Sequence, residues 1–214
     1  MNLKKLFETQ KILRDRINYN EPDRFNKLIL ALLVEIGECA NEWRGFKFWS
    51  KNQQPRKIHT TVGAQIENAE FVCCGDCGDR VYKNDSDFKK INDNEECSSC
   101  GSPSIDLYRS SYPLLEEYVD GLHFVLELGI EKGLNDFKYA VFICDCVNKQ
   151  FIYLHRAATD LFAQDRLDYT LHHYRNLIQL YLGLGEMLGF TWEQIEQAYF
   201  EKNAVNHQRQ EEGY

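Results

Sequence analysis

Long apolar runs are missing from this chain. No stretch of its 214 residues approaches the roughly 18 uninterrupted apolar residues of a membrane-crossing helix, so no membrane partner is expected. The first residues, Met1-Asn-Leu-Lys-Lys-Leu-Phe-Glu, lack the continuous apolar stretch of a secretory signal, which points to the cytoplasm. An excess of positive charge is missing too. Lys and Arg number 25 against 33 Asp and Glu, a net charge of −8, which argues against a general polyanion binder. It still permits a local basic pocket for a nucleotide. Internal repeats and low-complexity tracts are absent. With 43% hydrophobic and 13% aromatic residues, the composition is that of a globular protein with one substantial core, or one core and a small module.

Carboxylates stand where apolar residues are expected. One group lies in Leu30-Ala-Leu-Leu-Val-Glu35-Ile-Gly-Glu38-Cys-Ala-Asn-Glu42-Trp43, the other in Leu114-Leu-Glu-Glu117-Tyr-Val-Asp120-Gly-Leu-His-Phe-Val-Leu126. At about 100° per residue, Glu35, Glu38 and Glu42 share a helix face within about 60°, and Glu117 and Asp120 share another. Glu35 falls in line with Leu28, Leu32 and Cys39. Inward carboxylates repel one another and lose hydration, and divalent cations relieve both costs. Mg²⁺ takes carboxylate oxygens and is completed by water and substrate phosphates. Acids three or four apart also occur on solvated faces. Two groups that both interrupt apolar periodicity favour a Mg²⁺-phosphate site between two helices.

Eight cysteines are present, and four are patterned. Cys74-Gly-Asp-Cys77-Gly and Cys97-Ser-Ser-Cys100-Gly are two Cys-x-x-Cys-Gly turns with 19 residues between Cys77 and Cys97, a spacing that suggests Zn²⁺. Glycine after each second cysteine suits a tight turn whose amides point at thiolate sulfur. Four thiolates close a tetrahedron, so the expected Zn²⁺ is structural. Disulfides would not suit a reducing cytosol. Cys39, Cys144 and Cys146 lie in apolar settings and are expected to be buried, inert thiols.

Organisation follows from periodicity. Residues 3–17 and 24–44 read as helices, 50–70 as a connector, then 113–132, 148–163 and 167–188 as helices, the last ended by Gly189. Thr191 with Gln194 forms a capping box for a final helix. Residues 71–108 are polar, turn-rich and too poor in apolar residues to fold without metal. The fold class is therefore all-α. Residues 1–70 and 109–214 form a helical catalytic domain, and 71–108 form an inserted four-cysteine zinc-ribbon module. Arg80, Lys83, Lys89 and Lys90 in the ribbon are offset by many acids, so nucleic acid is not an expected partner.

Further residues suit substrate contacts. Gln10 shares a stripe with Leu3, Leu6 and Ile17, and its amide can meet a base edge. Lys47 in Phe46-Lys-Phe-Trp49-Ser50 can hold phosphate beside a stacking ring, or cover an apolar corner. Lys202, Asn206 and Arg209 continue the face of Ile195, Ala198 and Tyr199, as in a phosphate clamp, although basic residues also suit a solvated helix end. No histidine is assigned to metal; His123 sits between carboxylates and core.

Taken together, Glu35-x-x-Glu38 with Glu42-Trp43, Phe46-Lys-Phe-Trp49-Ser50, Glu117-Tyr-Val-Asp120-Gly-Leu-His-Phe124 and Lys202-Asn203-x-x-Asn206-x-x-Arg209-Gln210-x-x-Gly213-Tyr214 span nearly all of the chain outside the cysteine segment. They resemble the dimeric, all-α dUTPase family, within the wider all-α NTP pyrophosphohydrolase group that includes the MazG-type enzymes. The ribbon departs from the compact family pattern without interrupting a motif. The resemblance implies hydrolysis of dUTP, and also dUDP, to dUMP. It implies two or more Mg²⁺ ions per site on Glu35, Glu38, Glu117 and Asp120, with Glu38 acting on the attacking water and Glu42 the second choice, as a ligand or a support behind the ligands. Lys47, Lys202 and Arg209 would neutralise phosphate. Gln10, Asn203 and Asn206 would contact base or sugar, with Trp49 and Phe124 as walls. It also implies a homodimer whose tail closes over the nucleotide. Another deoxynucleotide such as dCTP as substrate, or an inactive recruitment protein, are the alternatives.

Overall fold

The computed structural model describes residues 2–62, 64–88, 91, 96–163 and 167–213. Lys89, Lys90 and Tyr214 lie outside the described residues. The chain divides into two compact units, residues 1–55 with 114–214, and residues 56–113. The bounds 71–108 expected for the inserted module fall inside the second unit.

The first unit is helical: α1 (Leu3–Ile17), α2 (Arg24–Trp43), α3 (Pro113–Glu131), α4 (Val147–Phe162), α5 (Leu167–Met187) and α6 (Trp192–Glu211). Local chemistry sets the ends. Asn2 accepts the amide of Lys5 at the start of α1, and Asn18 closes that helix in the left-handed region. Thr191 and Gln194 form the reciprocal capping box that opens α6. On α2, Ile29, Leu32, Ile36 and Cys39 make the buried stripe, leaving Glu35 at its half-buried edge. Cys146, expected to be buried, is exposed, because it is the extended residue that precedes α4.

Helix α3 is the hub. Leu114, Tyr118, Val119, Leu122, Val125, Leu126 and Leu128 are all buried, so it is apolar nearly all round. Residues of α1, α2, α4, α5 and α6 join it in one core. Close approach to α5 depends on small residues. The Tyr181 hydroxyl donates to the Tyr118 carbonyl at 2.7 Å and occupies the place a β-carbon at Gly121 would take. Tyr118 returns the contact, donating to the Tyr181 carbonyl at 3.2 Å beside Gly185. Tyr174 does the same at Gly129, donating to the Val125 carbonyl at 3.0 Å. Among the described residues, no helix is long and apolar enough to cross a membrane.

The second unit carries an antiparallel sheet of order β1-β4-β2-β3, with β1 (Ile58–Thr60), β2 (Phe71–Cys74), β3 (Arg80–Tyr82) and β4 (Ile105–Ser111). Strand β1 lies in the stretch expected as a plain connector; it pairs Ile58 with Ser111, a partner distant in sequence. The unit's core is small: Ala69, Val72, Val81, Phe88 and Ile91.

Candidate active site

Facing turns of α2 and α3 bring Glu35, Glu117 and Asp120 together, with one carboxylate oxygen from each within 4.8 Å of the others. Glu38 lies one turn beyond Glu35 on α2, and its charge acts on both Glu35 and Glu117. Desolvation, then the charges of Asp120 and Glu38, pushes the Glu35 carboxyl up from 4.5 to about 7. Desolvation, Glu38 and Asp120 push Glu117 up to about 7 as well. Asp120 is raised by desolvation, against the opposing pull of Lys202, whose ammonium donates to it at 2.5 Å from α6. All the donors are hard oxygens, half-buried and mutually repelling. That donor set fits Mg²⁺, which takes carboxylate oxygens and relieves their repulsion.

A cavity of about 150 Å³ opens beside this cluster, lined by Glu35, Asp120, His123, Phe124, Lys202, Asn206 and Arg209. A second, of about 390 Å³, shares His123, Phe124, Asn206 and Arg209 with the first, so the two adjoin. Leu13, Ile17, Leu28 and Ala31 give the larger one apolar walls, and Gln10, Arg24 and Glu127 give it a polar end. An apolar slot with a few converging polar groups is the form of a small-molecule site.

The polar end is a buried network. Glu127, on α3, accepts from Arg24 Nη2 at 2.6 Å and pairs with Arg14 Nη1 at 3.2 Å. Its other oxygen accepts from the Gln10 amide nitrogen at 3.0 Å. Gln10 Oε1 meets the Tyr199 hydroxyl at 2.7 Å and His123 Nδ1 at 2.8 Å. The His123 ring stacks on Tyr199 with centroids 4.1 Å apart, and its buried Nε2 has no hydrogen-bond partner. Burial pushes His123 down to about 3, so the ring is neutral at physiological pH.

A family model described as dUTPase matches residues 2–62 and 109–214. The chain belongs to the dUTPase family. The match passes over 63–108, the stretch holding all four patterned cysteines. Comparison with curated proteins gave no match. Membership makes the chain a hydrolase of nucleotide metabolism at family level.

On this dUTPase framework, Gln10, Glu35, Phe124, Lys202, Asn206 and Arg209 line the two cavities, and Glu117 completes the acidic cluster with Asp120. Other expected residues lie elsewhere. Glu42 is buried outside the three-carboxylate group. Lys47 donates to the Asn41 carbonyl and side chain. Trp49 is 66% exposed, edge-on to Phe46 and Phe48. Asn203 is buried with an unpartnered amide nitrogen and lines neither cavity. Helix α6 continues to Glu211, so the tail from Lys202 to Glu211 is helical, with Asn203 buried. Sequence reasoning passed over His123, Arg24 and Glu127. The available signal was a polar row at Asp120, His123 and Glu127, on one face of a stretch, Tyr118 to Ile130, that is otherwise apolar.

The second unit holds a separate cluster. The sulfurs of Cys74, Cys77, Cys97 and Cys100 all lie within 4.8 Å of one another, with Cys74···Cys100 at 3.7 Å and Cys77···Cys97 at 3.6 Å. A tetrahedron with metal–sulfur bonds of about 2.3 Å has edges of about 3.8 Å. Gly78 and Gly101 follow the two pairs at φ +72°, and their amides bond back to the Cys74 and Cys97 carbonyls. The Cys77 amide helps pull the Cys74 thiol down to about 6.

Proposed function

We propose that this protein is a Mg²⁺-dependent pyrophosphohydrolase that converts dUTP to dUMP and pyrophosphate, and dUDP to dUMP and phosphate. The observation that carries this reading is the adjacency of the two cavities. One is walled by carboxylates and cations, as a phosphate chain needs, and the other is an apolar slot of nucleoside size with a polar end.

Glu35, Glu38, Glu117 and Asp120 would hold two or more Mg²⁺ ions, supplying charge neutralisation and a water of lowered pKa. Glu38, exposed beside Glu117, accepts the proton of the water that attacks the α-phosphorus. The bond from that phosphorus to the bridging oxygen breaks, and pyrophosphate leaves. Glu42, buried one turn further along α2, supports the acidic face from behind. Lys202 and Arg209 stabilise charge on the departing phosphates, and Lys47 serves the outer phosphates once freed from Asn41. Phe124 and the aliphatic walls exclude water from the base, Trp49 covers it, and Asn206 binds the sugar side. At the polar end, His123 Nε2 and Gln10 read the base edge.

A structural Zn²⁺ on Cys74, Cys77, Cys97 and Cys100 is part of the same proposal, supported by sulfur spacings close to a tetrahedral edge. It leaves no open position for substrate and stands apart from the chemical step. We also assign a cytoplasmic homodimer of the all-α NTP pyrophosphohydrolase type. Leu30 and Val34 on the outer face of α2, with Phe48 and Trp49 beyond it, are exposed and suit burial against a second copy. Pyrophosphate release from each of the four common dNTPs and dUTP, with and without Mg²⁺, tests the function. Release from dUTP alone, only with Mg²⁺, is the expected result. Preference for dCTP would move the reading to another base, and no release from any would refute it.

A further inference from the structure

Base-reading sites depend on which atoms donate and which accept, and a histidine can present either. Free histidine favours the tautomer with hydrogen on Nε2. The surroundings of His123 impose the other. Glu127 is 5% exposed and held by two arginines, so it is a carboxylate that can only accept. The Gln10 group facing it at 3.0 Å must therefore be the NH₂. That orientation turns Gln10 Oε1 toward His123 Nδ1 and the Tyr199 hydroxyl. An amide oxygen only accepts, and two bare acceptors would repel at 2.8 Å, so Nδ1 carries the hydrogen. A neutral ring then has a bare lone pair on Nε2, the buried atom with no partner, on a residue lining both cavities.

The geometry points to Glu127, braced by Arg24 and Arg14, as a positioning residue for base specificity: it orients Gln10, Gln10 sets the His123 tautomer, and His123 Nε2 is left as an acceptor for an imide N–H. This rests on the reading of the larger cavity as a nucleoside site. Uracil offers a donor N–H at ring position 3, between two carbonyls. Cytosine offers a bare acceptor there and would meet Nε2 lone pair to lone pair. The discrimination thus originates four residues along α3 from the ring that performs it, through a side chain on α1. Leaving a buried polar group facing the wrong partner is costly, which is why a polarity mismatch discriminates better than shape.

The test is nitrogen-15 NMR of the histidine rings, with His123 assigned by the signal lost in His123→Gln, alongside kcat/KM for dUTP and dCTP. The intact protein is expected to show His123 as the neutral Nδ1–H tautomer. In Glu127→Gln the new amide can donate to Gln10, which frees Gln10 to turn over and His123 to move its hydrogen to Nε2. The ratio of kcat/KM for dUTP over dCTP should fall about ten- to a hundredfold. Glu127→Asp, which keeps the acceptor, should retain the tautomer and recover much of the ratio. An Nε2–H tautomer in the intact protein overturns the inference, as does a Glu127→Gln variant with unchanged tautomer and ratio. If Glu127→Gln does not fold, the intact protein's spectrum and Glu127→Asp decide. The NMR readout needs no turnover, so failure to hydrolyse dUTP would refute the functional reading without removing the test of the relay.

Discussion

Glu35→Gln should stabilise the protein in Mg²⁺-free buffer while removing its activity. Two carboxylates within 4.8 Å repel by about 3 kcal/mol at an effective dielectric of about 20. The same strain lifts the Glu35 carboxyl from 4.5 to about 7, and at about 1.4 kcal/mol per pH decade this disfavours the ionised form by about 3 kcal/mol. Glu35 is only half-buried, and solvent screening reduces the effect on stability to about 1–2 kcal/mol. The sign follows from linkage. A carboxyl whose folded pKa is raised contributes stability fully below its unfolded value of about 4.5, and loses that contribution as pH rises through about 7. The native protein without Mg²⁺ should therefore lose stability across that interval, and Glu35→Gln should lose less. Near pH 5 the two should melt together; near pH 8 the variant should melt about 2–8 °C higher by circular dichroism of the helices. Added Mg²⁺ should raise the melting temperature of the native protein more than that of the variant, and the variant's kcat should fall at least about a hundredfold. A variant that melts lower than the native protein at pH 8, or that keeps the native pH slope, would refute the placement of Glu35 in a repelling, metal-holding cluster.

Three other outcomes are expected. Elemental analysis should find one Zn²⁺ per chain; Cys97→Ser should lose it and expose residues 56–113 to protease while the helical unit keeps its Mg²⁺-dependent turnover, and zinc-free native protein would contradict the site. Gly121→Ala puts a β-carbon against the Tyr181 hydroxyl and should cost about 1–3 kcal/mol, seen as a loss of melting temperature, whereas an unchanged value would mean α3 and α5 are not so closely packed. Sedimentation should give twice the 25.2 kDa chain mass, falling to monomer in Leu30→Glu with Val34→Glu; an intact protein that is monomeric and fully active would sink the dimer.

Helix positions are local chemistry, and the chain states them openly. Apolar spacing and the capping residues Asn2 and Thr191 place α1 and α6 because each helix depends mainly on neighbours within a few residues. The acidic pairs and the two Cys-x-x-Cys turns were legible for the same reason: ligands that act together sit one turn apart. Strand β1 was not, since three residues with no periodicity of their own become a strand only by pairing with Ser111, Ser110 and Arg109. Lys47 and Trp49 follow the acidic cluster in sequence, yet spacing did not show that Lys47 would bond Asn41 or that Trp49 would stand exposed. Glu127 looked like one more residue of a core helix. Its partners Gln10 and Arg24 lie on two other helices more than a hundred positions away, and only packing brings them to it. Sequence alone thus determined which helices form and which carboxylates and cysteines stand one turn apart. The tertiary structure decided which polar atoms meet, because a buried hydrogen bond depends on distance in space and carries no mark in the spacing of residues along the chain.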